Sequence, residues 1–488
     1  MTPTLTGYAV PLSALPGEVV ELKLSSGQPY QVAYLRLDRV LKASPDGRMG
    51  TLLGGPDGSG PRIAPGPTAR AAEVQAVPED GYRGFGWSTT VSLRVPSTWP
   101  SGMYAAELRT PDATHHVPFV VKPPATASRK GRLAVLANTN TWNAYSESGG
   151  RSKYWGKAGY RTSFERPLAD QGPPGGGQPL RPEPASGDRP LSHLLGAELW
   201  VLNWLEERGF GLDLYADRDL HDGIPFFAEY PAFLVHTHPE YWSLAMVDRL
   251  RAYLDAGGCL LYLAGNGLFE RVAFDGHHAV FLEGDPDNDG QSGSDRSVAY
   301  LRNQGVHRDG KATYPYAERG LLGVAFRFDV LRGAPLEVVD DAHPFIRDAG
   351  LRRGDRVGGR GFNGAASSWE LDSSLPGTAP PGVRVEANRA SLDDPTLVGL
   401  DPCPDDRGSP PPTLRLLARG AHGTGYGADM TVHETGRTRN GRAGFVLSAG
   451  AIPVGGCLPV DPALGRIVTC ALEAAGVRPA PPVGGPAE

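Results

Sequence analysis

Apolar and polar residues alternate along the first 125 positions. In "GEVVELKLSS", "YQVAYLRLDRV", "TTVSLRVP", "GMYAAELRT" and "HHVPFVVKP" the period is two, and Gly, Pro, Ser and Asp stand between the segments. A period of two places alternate side chains on opposite faces of a strand. Short strands broken by turn residues predict a small all-β sandwich domain over 1–125, with one buried inner face. Residues 126–131, "TASRKG", read as a linker.

From residue 132 the pattern changes. "RLAVLAN", "GLDLYAD", "PAFLVHTH" and "GCLLYLAGNG" are short, nearly continuous apolar runs, as expected of strands covered on both faces. "LGAELWVLNWLEERG" and "SLAMVDRLRAYLDAGG" carry helical spacing, with Ser243 as N-cap of the second and glycines closing both. "ADMTVHET", "RAGFVLSAGAI" and "PALGRIVTCALEAAGV" read as closing strands and a last helix. The order predicts an α/β fold over 132–480, a doubly wound, mostly parallel sheet, with long loops at 165–190 and 371–412 and a tail at 481–488. Such sheets bind ligands beyond the carboxyl ends of their strands. Three loops leave those ends: "NTNTWNAY", "HTHPEYW" and "GNG".

Composition narrows the partners. The chain has 488 residues, 40% hydrophobic and 21% charged, with a net charge of −6. That balance offers no electrostatic case for nucleic acid or an anionic membrane surface. No apolar run approaches the roughly 18 residues of a membrane helix. Cys259, Cys403, Cys457 and Cys470 have no ligand-like spacing. The N-terminus shows no basic and apolar leader pattern, so the expectation is a cytoplasmic protein with reduced thiols. Cys259 lies inside a strand rather than on a turn, and no G-x-S-x-G occurs. The glycine-rich "GGRGFNG" and "GGPDGSG" lack the strand–loop–helix setting of phosphate loops.

Three stretches carry chemistry. Asn138–Pro167 gathers Trp142, Tyr145, Tyr154, Trp155 and Tyr160 among glycines. These rings either pack the loop onto the sheet, line a binding site, or bind a strong Lewis acid as phenolates, since a free phenol ionises only near pH 10. "HTHPEYW" puts His236, His238 and Glu240 on one side of the chain if it stays extended. H-x-H-x-E suits a divalent metal, or one histidine as general base beside a glutamate ligand. The structural alternative is a strand end with Glu240 on the next helix's dipole. "DPDNDGQSGSDR" begins like a calcium loop at Asp285, Asp287, Asp289 and Gly290, but Arg296 stands where the closing glutamate belongs. A solvated acidic loop is the preferred reading.

"NTNTWNAYSESGGRSKYW", "SFERP", "HTHPEYWSLAMVDRLRAYLDAGGCLLYLAGNG", "ASSWELD" and "GADMTVHE" with "GRAGFVLSAGAI" together resemble the N,N-dimethylformamidase large (β) subunit-like family, from about residue 95 onward. "WPSGMYAAEL" and "VPFVVKP" resemble the end of the β-sandwich that precedes its catalytic domain. The resemblance implies a glutamine-amidotransferase-like α/β fold and an amidohydrolase with one mononuclear iron, Fe(III), zinc being the alternative. Carried over by motif, it implies Tyr145, Tyr154 and Glu240 as metal ligands, with Tyr160 competing with Tyr154. It implies His238 in proton transfer and Glu370, in "SSWELD", as a second acidic group. The implied substrate is a small-molecule amide, and homo-oligomers or a small partner subunit fit the same picture. The chain departs from the pattern after "GNG", where relatives carry a basic residue and this chain carries "EGDPDNDGQSGSD"; Arg296 is the substitute at hand. Two other classes remain at this stage: a non-catalytic binding protein with a degenerate site, and a metal-dependent tailoring enzyme of another reaction type.

Overall fold

The computed structural model describes residues 5–38, 51–53, 68–153, 161–168, 183–184, 192–281, 318–374, 383–386, 389–392, 397–400, 410–422 and 427–479. The chain opens with β1 (Leu5–Val10), β2 (Ser13–Ala14), β3 (Val19–Ser26), β4 (Tyr30–Arg36), β5 (Thr51–Leu53), β6 (Thr68–Arg70), β7 (Val91–Arg94), β8 (Gly102–Arg109) and β9 (Thr114–Val121). Strands β1, β3 and β7 form one antiparallel sheet; β2, β9, β8, β4 and β5 form another, with β6 beside β4. Alternate residues fill the space between them: Val20, Leu22 and Leu24 of β3 against Tyr104, Ala106 and Leu108 of β8 and Val117, Phe119 and Val121 of β9. Each buried Val, Leu or Phe among them contributes about 1.5–3 kcal/mol by leaving water.

The expectation of a single buried face needs correction for the second sheet. Leu35, Met103, Ala105 and Val120, on its other side, belong to the large core of the following region. Asn203 donates to the Leu37 carbonyl at 2.9 Å, Leu214 N donates to Ser101 Oγ at 2.8 Å, and Arg36 pairs with Glu206. Both faces of this sheet are therefore covered, and β8 is buried along all but its last residue.

After residue 132 come β10 (Leu133–Ala137), α1 (Thr139–Tyr145), β11 (Arg161–Ser163), β12 (Glu183–Pro184), α2 (Leu195–Glu207), β13 (Leu212–Ala216), α3 (Asp217–Asp222), β14 (Ala232–Thr237), β15 (Tyr241–Trp242), α4 (Leu244–Asp255), β16 (Cys259–Ala264), β17 (Glu270–Asp275) and β18 (His278–Phe281). They are followed by α5 (Glu318–Leu322), β19 (Ala325–Ala334), β20 (Leu336–Val338), α6 (Pro344–Arg347), β21 (Arg356–Val357), β22 (Arg360–Gly361), β23 (Ser367–Ser373), β24 (Val383–Glu386), β25 (Arg389–Leu392), β26 (Leu397–Leu400), β27 (Arg415–Gly420), β28 (Asp429–Arg439), β29 (Arg442–Ser448), α7 (Val454–Cys457) and α8 (Pro462–Ala475).

The central sheet runs β13-β10-β14-β16-β29-β28-β27-β20-β21. From β13 to β29 the pairs are parallel; from β29 onward they are antiparallel. The doubly wound, mostly parallel, glutamine-amidotransferase-like α/β fold expected from the sequence is therefore not what forms. The chain is mainly β, with strand outweighing helix about two to one and several mixed sheets. The reason lies after residue 265, where hairpins β17–β18 and β28–β29 and strands β19, β20, β21, β23 and β27 add antiparallel pairs instead of further strand–helix repeats. Helices α2 and α8 cover one face of the sheet and α4 the other. Ser243 caps α4 as expected, its Oγ accepting from Met246 N at 3.2 Å. Among the described residues, Cys259, Cys457 and Cys470 are free thiols, and no helix is long and apolar enough to cross a membrane.

Candidate active site

The site lies beyond the ends of three adjacent parallel strands. At the end of β14, Thr237 has φ of +63°. The left-handed region costs a β-branched residue about 1–3 kcal/mol. It also breaks the alternation that would have put His236, His238 and Glu240 on one side. His236 is left fully buried, its Nδ1 3.1 Å from Thr237 Oγ1, and burial lowers it to about 3. His236 stays neutral and structural. His238 turns towards Glu240 and Glu370.

The stretch after β10 is a short helix, α1, rather than the loop expected, and its polar residues explain "NTNT". Asn138 Nδ2 donates to the His236 carbonyl at 2.7 Å, Thr141 Oγ1 to the His238 carbonyl at 2.7 Å, and Asn140 Nδ2 to the Tyr241 carbonyl at 3.0 Å. Three side chains of one motif thus satisfy backbone carbonyls of the other, which lie in a dry interior where an orphaned carbonyl is costly. Glu198 of α2 holds the helix from below, its Oε1 accepting from Asn138 N, Asn138 Nδ2 and Trp142 Nε1 at 3.2, 3.0 and 2.8 Å. Arg166, from "SFERP", is buried and donates to the carbonyls of Asn143, Ser148, Arg151 and Ser163. It ties down the chain on both sides of Tyr145.

The third wall is "GNG" against β23. A Cβ on Gly265 would sit 2.4 Å from the Glu370 carbonyl oxygen and 2.7 Å from Ile452 N, so only glycine allows this approach. The Asn266 backbone N–H donates to Asp372 Oδ1 at 2.8 Å, and its Nδ2 to Glu370 Oε2 at 2.8 Å. Trp369 has φ of +63° inside β23. That breaks the strand's alternation and lets consecutive residues face the site: the Trp369 ring lies 6.4 Å from the His238 ring, and Glu370 reaches its Nε2.

At the centre, His238 Nε2 is 3.2 Å from Glu240 Oε2 and 3.1 Å from Glu370 Oε2, in full burial. Its N–H is aligned squarely with neither, so these are ion-pair contacts rather than directed hydrogen bonds. Burial opposes charge on this imidazole, but the Glu370 and Glu240 carboxylates outweigh it and push it up to about 10. The Tyr145 ring lies 5.8 Å from that of His238, and His193 Nδ1 approaches His238 Nδ1 to 2.7 Å. Nearby, Lys153 and Glu270 form a buried 2.7 Å ion pair beside the Tyr241 ring.

Four residues singled out in the sequence, Tyr145, His238, Glu240 and Glu370, meet here. Tyr154, Tyr160, Arg296 and the acidic loop 283–296 lie outside the described residues. The described residues contain no group of three His, Cys, Asp or Glu arranged for a metal ion. The donors at hand for a hard cation are the Tyr145 phenol and the two carboxylates, and oxygen donors of this kind suit a strong Lewis acid. His193, Asn266 and Trp369 escaped the sequence reading. His193 directly precedes an apolar helix and belongs to no motif; the glycines around Asn266 were the available signal for that residue.

The family model described as "N,N-dimethylformamidase beta subunit-like, C-terminal" matches residues 56–463. Two relatives, the N,N-dimethylformamidase beta subunits of Paracoccus aminophilus and of an Alcaligenes species, are each 27% identical over 220 residues, covering 38% of this chain and 27% of the relative. The chain thus spans about a quarter of the length of the curated relatives it matches.

Proposed function

Because the chain belongs to the N,N-dimethylformamidase beta subunit-like, C-terminal family, we propose that it is a metal-dependent amidohydrolase that cleaves the C–N bond of a small amide. The observation carrying this reading is the buried His238 imidazole set between two carboxylates beside Tyr145. Tyr145 and Glu240 border the same ring, and the Nε2 between the carboxylates lacks an aligned hydrogen bond. These residues fit one side of an oxygen-rich metal site, with Tyr154 or Tyr160 as the further ligand. Iron(III), or zinc in its place, would supply Lewis acidity at the amide oxygen and lower the pKa of water.

The chain's own residues then manage protons. Two carboxylates raise His238; coordination of Glu240 would remove part of that charge and return the imidazole towards the proton-accepting range. His238 takes a proton from the attacking water and passes one to the departing nitrogen, so that water adds to the carbonyl carbon, the C–N bond breaks, and acid and amine leave. Glu370, oriented by Asn266 at 2.8 Å, holds the imidazole and the water. The relatives are named as beta subunits, which supports a partner subunit or a homo-oligomer here.

Elemental analysis of the purified protein, followed by a screen of small N-substituted amides, tests the reading. Stoichiometric iron with amide turnover is expected, with visible charge-transfer absorption that Tyr145→Phe bleaches or shifts. Amide turnover by metal-free protein, or a metal-loaded protein inert on every amide, overturns it.

A further inference from the structure

We infer that His193 is a positioning residue that holds the His238 ring through an imidazole–imidazole hydrogen bond and fixes where that ring carries its hydrogens. Two Nδ1 atoms 2.7 Å apart require one hydrogen between them. If both rings carried it they would repel, and if neither did, two lone pairs would face each other. On the other side of His238, Nε2 faces carboxylate oxygens at 3.2 and 3.1 Å, which are acceptors. The charged His238 therefore carries hydrogens on both nitrogens, Nε2–H towards the carboxylates and Nδ1–H donated to His193. When Nε2 gives up its proton, Nδ1 keeps its own on His193, so the nitrogen that exchanges a proton is the one facing the carboxylates. In both cases the ring cannot flip, because a flip would place carbon against either His193 or the carboxylates.

His193 is built into this place. Ser192 N donates to Asn363 Oδ1 at 3.3 Å, and Asn363 Nδ2 donates back to the Ser192 carbonyl, so one buried side chain grips the backbone just before His193. The His193 ring sits edge-on to Tyr145, centroids 4.4 Å apart at 83°, and lies 4.5 Å from the Trp369 ring. Two aromatic walls fix its plane and leave Nδ1 aimed at His238. The arrangement follows the general rule that a proton-transferring histidine needs its second nitrogen held by a partner, which sets tautomer and orientation.

His193→Phe keeps a ring between Tyr145 and Trp369 and removes the hydrogen bond. His193→Asn places an amide where Nδ1 was and restores it. The direct readout is ¹⁵N-histidine NMR of protein stripped of paramagnetic metal, the His238 signals being identified by their loss in His238→Gln. The wild type and His193→Asn should show His238 with a protonated Nε2 and a hydrogen-bonded Nδ1. In His193→Phe the hydrogen-bonded Nδ1 signature should disappear, while Nε2, still facing the carboxylates, keeps its own. The kinetic readout rests on the amidohydrolase reading: kcat should fall about 10- to 100-fold in His193→Phe with KM little changed, and recover in part in His193→Asn. Unchanged His238 signals in a folded His193→Phe overturn the positioning role. Absence of amide turnover in the wild type overturns the functional reading and leaves the NMR test intact.

Discussion

Thr141 Oγ1 donates a 2.7 Å hydrogen bond to the carbonyl oxygen of His238, joining the helix that carries Tyr145 to the strand end that carries the imidazole. Thr141→Val keeps the shape and deletes the donor, leaving a buried carbonyl without this partner. Stability should drop by about 1–2 kcal/mol in urea unfolding. Turnover of an accepted amide should fall about tenfold, because misplacement near the reacting groups is amplified in rate. A variant matching wild type in both assays would show that this bond does not couple the two motifs.

Gly265 should tolerate nothing larger. An alanine Cβ would meet the Glu370 carbonyl and Ile452 N, both backbone atoms that cannot rotate away. Gly265→Ala should lose about 3 kcal/mol of stability and displace Glu370 from His238. Gly359→Ala, whose Cβ meets only Pro335 Cβ at 3.9 Å, is the control and should be near neutral. Equal thermal melts for the two variants would contradict the close approach.

Arg166 donates to carbonyls of four residues while fully buried. Arg166→Met should cost about 3–5 kcal/mol, since several charge-assisted bonds go at once. Arg166→Lys should recover only part, because an ammonium lacks the planar fork that serves several acceptors. Limited proteolysis between Asn143 and Arg166 should accelerate in both. Protection equal to wild type would count against the clamp.

Stability should depend on pH through two buried carboxyls beneath the site. Burial raises Glu198 from its ordinary 4.5 to about 8 and Asp217 from 3.8 to about 8. The folded protein then keeps protons that the unfolded chain has already released, so stability is greatest below their unfolded values and declines as pH rises towards about 8. Glu198→Gln stays neutral and keeps an oxygen for the three donors around Oε1, so its stability should fall less steeply with pH. Denaturant titrations at several pH values between about 5 and 8 check this; parallel curves for variant and wild type would falsify it.

The parallel strands and their helices were readable because their signals are local. Continuous apolar runs mark β10, β13, β14 and β16, and Ser243 followed by an amphipathic stretch marks α4. Strands β20, β21 and β27, by contrast, owe their place in the sheet to partners far away in the chain, so no local period announces them, and the expected parallel architecture gave way to a mixed sheet. In the site, "NTNTWNAY" and "HTHPEYW" each stood out, and Tyr145, His238, Glu240 and Glu370 were named by motif. His193 could not be, since its partners come from α1, β23 and the end of β14.

The sequence by itself determined which residues are chemically able: a tyrosine-rich stretch after one strand, imidazole and carboxylate after another, glycines where the backbone must pass closely. Tertiary structure alone decided how they face one another. Thr237 and Trp369 adopt left-handed backbone conformations that no local preference favours in those residue types. Surrounding packing and hydrogen bonds hold them there, and that distortion separates His236 from His238 and brings Glu370 and Trp369 to the same imidazole.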